Sequence, residues 1–115
     1  MSNLPKLVRD NVPEILASSG LRHDIEVLSN EQYIKALEDK LLEELNEYYE
    51  SRKSEHADGI EELVDLYEVT LALVNALGCN MYDFDNRVIK KRNDRGSFRS
   101  RFLLKKIYEE ETENE

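Results

Sequence analysis

The amino-acid sequence predicts an all-α protein built from four helices. Apolar residues recur at helical spacing in two segments, and residues that favour helix ends stand at the borders of four segments. A charged fraction of 36 % also suits a helix-rich domain with a strongly solvated surface. The length of 115 residues is that of one small domain.

The first two helices are predicted from their ends. The segment DNVPEILASSG places Pro13 in a first helical turn and Gly20 after the last one. The second helix is predicted to run from about residue 31 to residue 52. Ser29 and Gln32 precede it at the spacing of a capping box, in which each residue satisfies a backbone N–H group at the helix start.

The later elements follow from the same signals. A third helix is predicted over residues 60–77, with Gly78 after its end, and a fourth over residues 80–93. Apolar and polar residues alternate near residues 24–28 and 98–104, which predicts short extended segments there. We therefore expect one helical domain over residues 1–108 and an acidic disordered tail over residues 109–115.

Composition excludes several classes of protein. No apolar run approaches the roughly 18 residues of a membrane span. The first residues, MSNLPKLVRDN, lack the apolar core of a signal peptide, so a cytoplasmic protein without a membrane partner is expected. Cys79 is the single cysteine, which excludes an internal disulfide and any multi-cysteine metal site.

Charge is distributed unevenly along the chain. Residues 86–106 contain nine Lys/Arg and one Asp, a net +8; because the whole chain carries −9, the remainder carries −17. The strongly acidic remainder of the chain argues against stable nucleic-acid binding, because that binding depends on neutralising the phosphates with Lys and Arg. The basic segment has two interpretations that charge alone leaves open: a grip on the phosphates of a small ligand, or a solvated helix face.

The third predicted helix is apolar around nearly its whole circumference. A helix of this kind is a buried one. A 115-residue monomer with four helices can hardly bury one helix completely, so burial against a second subunit is the simpler explanation. We therefore expect a homodimer or a higher symmetric oligomer.

Carboxylates on the second and third helices form the candidate site. An apolar side of the second helix is predicted from five residues (Ile34, Leu37, Leu41, Leu45 and Tyr48). Glu43 points away from that side, Glu44 lies in its flank, and Glu47 lies at its edge about one turn along. A carboxylate beside a core stripe needs a partner, because an unpaired buried charge is costly.

The third helix offers a second pair, Glu62 and Asp65, one turn apart. If the two helices form an antiparallel hairpin turning near His56, all four carboxylates converge. Hard oxygen ligands without cysteine suit Mg²⁺ or Mn²⁺. The alternative is that all four are surface acids of amphipathic helices. A di-iron bundle is disfavoured, since it needs Glu-x-x-His motifs that the sequence lacks.

Three sequence blocks resemble a known superfamily. EELNE (43–47) followed by EELVD (61–65) resembles the EExxE…ExxD signature of the all-α NTP pyrophosphatases, which include MazG-like enzymes. KLVRDNVPEIL (6–16) and KKRNDRGSF (90–98) resemble the flanking blocks of its small phosphoribosyl-ATP pyrophosphohydrolase-like branch. The resemblance covers about residues 4–106; Asn11 stands where the branch has Lys, and Ser97 where it has Gly.

The resemblance implies a four-helix-type bundle, assembled as a homodimer or homotetramer, that hydrolyses nucleoside triphosphates to monophosphate and pyrophosphate. House-cleaning of noncanonical nucleotides is the implied role. Carried over by position, the metal ligands are Glu44, Glu47, Glu62 and Asp65, and they hold Mg²⁺, or Mn²⁺ in its place. The catalytic residues are Glu44, Glu47, Lys91 and Arg95. The substrate-binding residues are Lys6, Arg9, Lys91, Arg95 and Arg99.

Two other functions stay open at this point. One is a phosphoribosyl-ATP pyrophosphohydrolase of histidine synthesis, which the same resemblance permits. The other, from a different class, is a non-catalytic helical dimer that binds a nucleotide or a protein. A binding module has no need of a complete set of four inward carboxylates, so the geometry of those residues helps to discriminate between the classes.

Overall fold

The computed structural model describes residues 4–109, which contain four α-helices and no strand. The helices are α1 (Val12–Ser18), α2 (Asn30–Arg52), α3 (Ile60–Ala76) and α4 (Met81–Arg95). The all-α prediction is confirmed, and the helix positions agree with the sequence signals. The predicted disordered tail lies outside the described residues, apart from Glu109. No helix within residues 4–109 is both long and apolar enough to cross a bilayer.

The chain divides into two compact units, the first ending at Phe84 and the second beginning at Asp85. The first unit contains α1, α2 and α3. In it, the predicted capping box at the start of α2 is present. The Gln32 backbone N–H donates to Ser29 Oγ at 3.2 Å, and the Ser29 backbone N–H donates to Gln32 Oε1 at 3.1 Å. These bonds satisfy N–H groups that have no partner inside the helix.

Helices α2 and α3 pack against each other as a hairpin, joined by residues 53–59. Gly59 stands at the N-cap of α3 with φ +82°, in the left-handed region that favours glycine. A Cβ atom at this position would lie 2.8 Å from Cε1 of Tyr48, closer than real Cβ contacts. The absence of a side chain at Gly59 therefore lets the Tyr48 ring of α2 pack against the start of α3.

The inward side of α2 is rotated relative to the predicted stripe. Leu37 is buried, as predicted, but Leu45 is 39 % exposed. Glu44, placed at the flank by the sequence, is instead the buried charged residue of the region between residues 4 and 109. Leu37 and Glu44 are seven residues apart, two helical turns, so the buried line passes through Glu44 rather than through Leu45.

The apolar circumference of α3 is only partly covered in the single chain. Val69 is buried, whereas five large apolar residues associated with this helix are exposed (Ile60, Leu63, Val64, Tyr67 and Leu77). Among residues 4–109, the buried apolar side chains are Leu37 and Val69. So small a core in one chain leaves several large apolar residues of the hairpin exposed.

The second unit holds the later part of α4 and the segment that follows it. Residues 98–101 form a turn, closed by a 3.2 Å hydrogen bond from the Arg101 N–H to the Phe98 carbonyl, and Arg101 has φ +63°. The prediction of a short extended segment near residues 98–104 is therefore wrong for residues 98–101, where a turn interrupts the alternating pattern. Residues 24–28, in the first unit, lie outside every helix and form no strand.

Candidate metal centre

Three carboxylates of one helix meet on α2. Glu43, Glu44 and Glu47 each offer an oxygen atom, and these atoms all lie within 4.8 Å of one another. The spacing explains the grouping, since Glu47 follows Glu44 by three residues and Glu43 by four, and residues three and four apart are neighbours on a helix surface. Like charges at this separation repel, so the group needs compensation by a cation or a proton.

Glu44 is the innermost member of this group. Its side chain is only 5 % exposed, and its Oε2 atom is buried without a hydrogen-bond partner. A buried polar atom without a partner costs free energy, and a charged one costs more. The unpartnered oxygen of Glu44 is thus a position where a cation would relieve an existing cost.

Lys40 partly compensates the group. Its ammonium nitrogen lies 3.2 Å from Glu43 Oε1 and 3.5 Å from Glu44 Oε1, and its side chain is 19 % exposed. Lys40 stands one turn before the two glutamates on α2, so a single helix supplies both the acids and their cation. One positive charge faces three carboxylates, which leaves the group acidic.

The pKa values of two members reflect this environment. The pKa of Glu44 is raised, first by burial and then by the charges of Glu47 and Asp65. The pKa of Glu47, whose side chain is exposed, is raised first by partial loss of solvation and then by the charge of Glu43. In both cases Lys40 opposes the shift without cancelling it. The net environment therefore disfavours the ionised forms.

The two predicted acids of α3 are placed differently from each other. Asp65 is half-buried and close enough to raise the pKa of Glu44 through its charge. Its Oδ1 atom accepts a 2.6 Å hydrogen bond from Nη2 of Arg9. Glu62 is half-buried, but it is outside the three-carboxylate group that the described residues form. The structure thus brings Asp65, rather than Glu62, to the edge of the site.

Two predicted phosphate-binding residues lie beside these acids. Arg9 is bonded to Asp65, and the nearby charges of Glu68 and Glu44 also raise the pKa of its guanidinium, after the hydrogen bond to Asp65. The charge of Lys6 lowers the pKa of Glu47, opposing the larger effects there. The segment before α1 therefore carries two exposed cations to the acidic face of the hairpin.

The remaining predicted cations belong to the second unit. Lys91 and Arg95 lie in the last turns of α4, and Arg99 lies in the turn after it. All three side chains are exposed. Lys90, next to Lys91 in α4, is bonded through Nζ to Oδ2 of Asp94 at 2.7 Å, one turn along the same helix.

Glu43 and Lys40 are the site residues that the sequence prediction missed. Glu43 was predicted to point into solvent, but it is half-buried, is bonded to Lys40 and belongs to the group of three carboxylates. The prediction was wrong because the stripe of leucines placed the inward side one position too far along the helix. Lys40 could have been found from its spacing, since it precedes Glu43 and Glu44 by three and four residues.

The donor set of the group fits a hard divalent cation. Its ligands are carboxylate oxygens, which suit Mg²⁺ and Mn²⁺ better than softer metals. Oε2 of Glu44, a member of the group, is buried without a hydrogen-bond partner, and one lysine faces three carboxylates. Comparison with models of protein families, with curated proteins and with solved structures finds no match.

Proposed function

We propose that the protein is a Mg²⁺-dependent nucleoside triphosphate pyrophosphohydrolase of the MazG-like type, acting in the cytoplasm. The observation that carries this proposal is the buried, unpartnered carboxylate oxygen of Glu44 within a group of three carboxylates. A purely structural helix hairpin gains nothing from such a group, because each ionised member costs folding free energy. A site that binds a cation explains why the chain keeps three carboxylates together despite their cost in folding free energy.

Glu43, Glu44 and Glu47 would hold the ion, with Asp65 at the edge of the site. A bound Mg²⁺ would polarise phosphate oxygens and lower the pKa of a water molecule. The family resemblance implies Glu62 as a further ligand, although it stands outside the group of three carboxylates. Mn²⁺ would fit the same oxygens.

The reaction assigns separate roles to the chain's own residues. Water adds to the α-phosphorus, and the bond from that phosphorus to the oxygen bridging the α- and β-phosphates breaks. The products are a nucleoside monophosphate and pyrophosphate. Glu47 is exposed and has a raised pKa, two properties that suit a carboxylate accepting a proton from the attacking water.

Cations would neutralise the charge that develops on the departing pyrophosphate. Lys6 and Arg9 would contact the pyrophosphate group, because both lie near acids of the site. Arg9 is bonded to Asp65, and the charge of Lys6 lowers the pKa of Glu47. Lys91, Arg95 and Arg99 are assigned this role by resemblance, and their exposure leaves them able to contact a ligand.

A four-helix-type bundle formed by two or more copies completes the proposal. The exposed apolar residues of α3, among them Val64 and Tyr67, supply surface that a second copy would cover. A homodimer or homotetramer would thereby bury what one chain leaves in contact with water.

The test is pyrophosphate release from a panel of ribo-, deoxyribo- and noncanonical nucleoside triphosphates and phosphoribosyl-ATP, with and without Mg²⁺. We expect Mg²⁺-dependent release that Glu47→Gln lowers by about 100-fold or more, the scale of lost general-base catalysis. Glu38→Gln removes a charge from an exposed position of the same helix and should leave the rate unchanged.

Other outcomes favour the alternatives. Release from phosphoribosyl-ATP alone would assign the enzyme to histidine synthesis. Nucleotide binding without release of any product would indicate the non-catalytic binding protein. Release that survives Glu47→Gln unchanged would contradict the proposed site.

A further inference from the structure

We propose that Lys40 is a built-in counter-cation that competes with the divalent ion for the carboxylates of α2. While no ion is bound, its ammonium group neutralises Glu43 and Glu44; when an ion binds, the lysine side chain moves away. Lys40 would therefore set how tightly the site binds its ion. The inference rests on the cation site of the proposed function but not on the hydrolysis.

The environment of Lys40 differs from that of other paired lysines. Its ammonium contacts two carboxylates, at 3.2 and 3.5 Å, and its side chain is 19 % exposed. The other lysine–carboxylate pairs of residues 4–109 each involve one acid, and their lysine side chains are 72–76 % exposed (Lys35–Asp39, Lys53–Glu50 and Lys90–Asp94). Lys40 alone among these is built into an acidic group.

Lys40 leaves one carboxylate oxygen of the group unpartnered, so an incoming ion has an oxygen atom to bind before the lysine moves away. Lys40 engages the Oε1 atoms of Glu43 and Glu44, whereas Oε2 of Glu44 is buried without a partner. An ammonium group and a divalent ion at the same carboxylates would repel each other strongly. Because the lysine stem is long and flexible, its head can leave toward solvent while the stem stays packed on the helix.

An alternative role predicts the opposite result. If Lys40 only held the two glutamates in the geometry that an ion requires, its removal would weaken ion binding. If it competes, its removal would strengthen ion binding, because a repelling charge and a rival for the same oxygens are both lost. The sign of the change in affinity therefore decides between the two roles.

The experiment is calorimetric titration of the full chain with Mg²⁺ and, separately, Mn²⁺. We expect Lys40→Met to bind each ion about tenfold more tightly than the unsubstituted protein, from the loss of one nearby unit charge. Lys40→Arg keeps the charge and should stay close to the original affinity. Lys35→Met removes a lysine from an exposed pair on the same helix and should change the affinity by less than about twofold, because water and salt screen that position.

Thermal unfolding provides a second measurement that does not depend on activity. Without its counter-cation, Lys40→Met should unfold at a lower temperature in chelator, and added ion should raise its midpoint by more than it raises that of the unsubstituted protein. Lys35→Met should show neither change. A Lys40→Met protein that folds only with ion present would support the inference further.

The remaining outcomes separate this inference from the proposed function. Equal or weaker ion binding by Lys40→Met overturns the competition. If the unsubstituted protein binds no ion but Lys40→Met does, the competition is supported. If neither protein binds an ion, the competition is overturned. Tighter binding by Lys40→Met together with no hydrolysis of any nucleotide would keep the role of Lys40 and reject the pyrophosphohydrolase.

Discussion

The guanidinium of Arg9 donates a 2.6 Å hydrogen bond to the carboxylate of Asp65, joining the segment before α1 to the face of α3. The two side chains are 55 % and 38 % exposed, so solvent screens the pair. Such pairs contribute little to stability. Arg9, however, carries its positive charge at the edge of the carboxylate site, where it could bind a phosphate group of a ligand.

Arg9→Met should therefore lower stability by less than about 1 kcal/mol, measured by denaturant unfolding. In nucleotide hydrolysis the same change should raise KM severalfold, since a phosphate contact is lost. Arg22→Met removes an exposed arginine elsewhere in the first unit and serves as control. A large loss of stability with unchanged KM would show that Arg9 is a structural residue.

Glu44→Gln should stabilise the metal-free protein at neutral pH. Because the pKa of Glu44 is raised, the folded state holds this proton more tightly than the unfolded state does. The stability that this group contributes is full below its ordinary pKa and is lost as the pH rises through the folded-state value. Unfolding in chelator should thus show no advantage of Glu44→Gln in acid and a growing advantage toward pH 7.

Glu38→Gln is the matched control for that comparison, as Glu38 is exposed on the same helix. Its unfolding should follow the unsubstituted protein at every pH. A Glu44→Gln protein that is less stable than the original at pH 7 would contradict the raised pKa. In that case the carboxylate would be stabilised by its surroundings, with Lys40 as the dominant neighbour.

Glu43→Gln should weaken the binding of Mg²⁺ or Mn²⁺ by at least about tenfold, the loss seen even for residues that only support a metal ligand. Titration calorimetry measures this directly. Glu62→Gln should have a smaller effect, because Glu62 stands outside the three-carboxylate group. The reverse order of the two effects would favour the ligand set implied by the family resemblance.

The two ligand sets differ because the sequence predicts where the helices lie but not which side of α2 faces α3. Helix positions were predictable, because end signals such as Ser29 with Gln32 act locally and are present in the structure. The hairpin of α2 and α3, on which the predicted meeting of the acids depended, is present in the structure. The rotation of α2 was not, because it depends on packing against α3, and a stripe that includes Leu45 fits the periodicity as well as one that passes through Glu44.

The turn at Phe98–Arg101 escaped prediction for a related reason. Alternation of apolar and polar residues indicates an extended chain only where a neighbouring strand takes up its hydrogen bonds. The described residues contain no strand, and the Arg101 N–H is satisfied within the turn instead.

Assembly can be tested on the exposed face of α3. We expect a sedimentation mass of at least twice 13.5 kDa. Val64→Asp, at a half-exposed apolar position of α3, should shift the mass toward that of one chain, because a charge would be buried in the interface. Val27→Asp makes the same substitution at a residue that is 91 % exposed and outside every helix, and should leave the mass unchanged.

Gly59→Ala should destabilise the hairpin by about 2 kcal/mol or more, since the left-handed backbone alone costs an L-residue about 1–2 kcal/mol. The added Cβ would also stand 2.8 Å from the ring of Tyr48. Gly20→Ala has a similar φ of +76° with open space around it, so denaturant unfolding should show a smaller loss there. Equal losses at the two positions would mean that the contact with Tyr48 carries no cost.

The contact between Tyr48 and Gly59 has a consequence for how the two acidic helices are aligned. Residues 53–58 are all exposed, and the close approach of α2 and α3 occurs at the ends of that connection rather than within it. Extra residues inserted among positions 53–58 would therefore bulge into water without sliding one helix past the other. The chain can lengthen there, or carry a fluorescent or affinity tag, while Glu44 and Asp65 keep the same register.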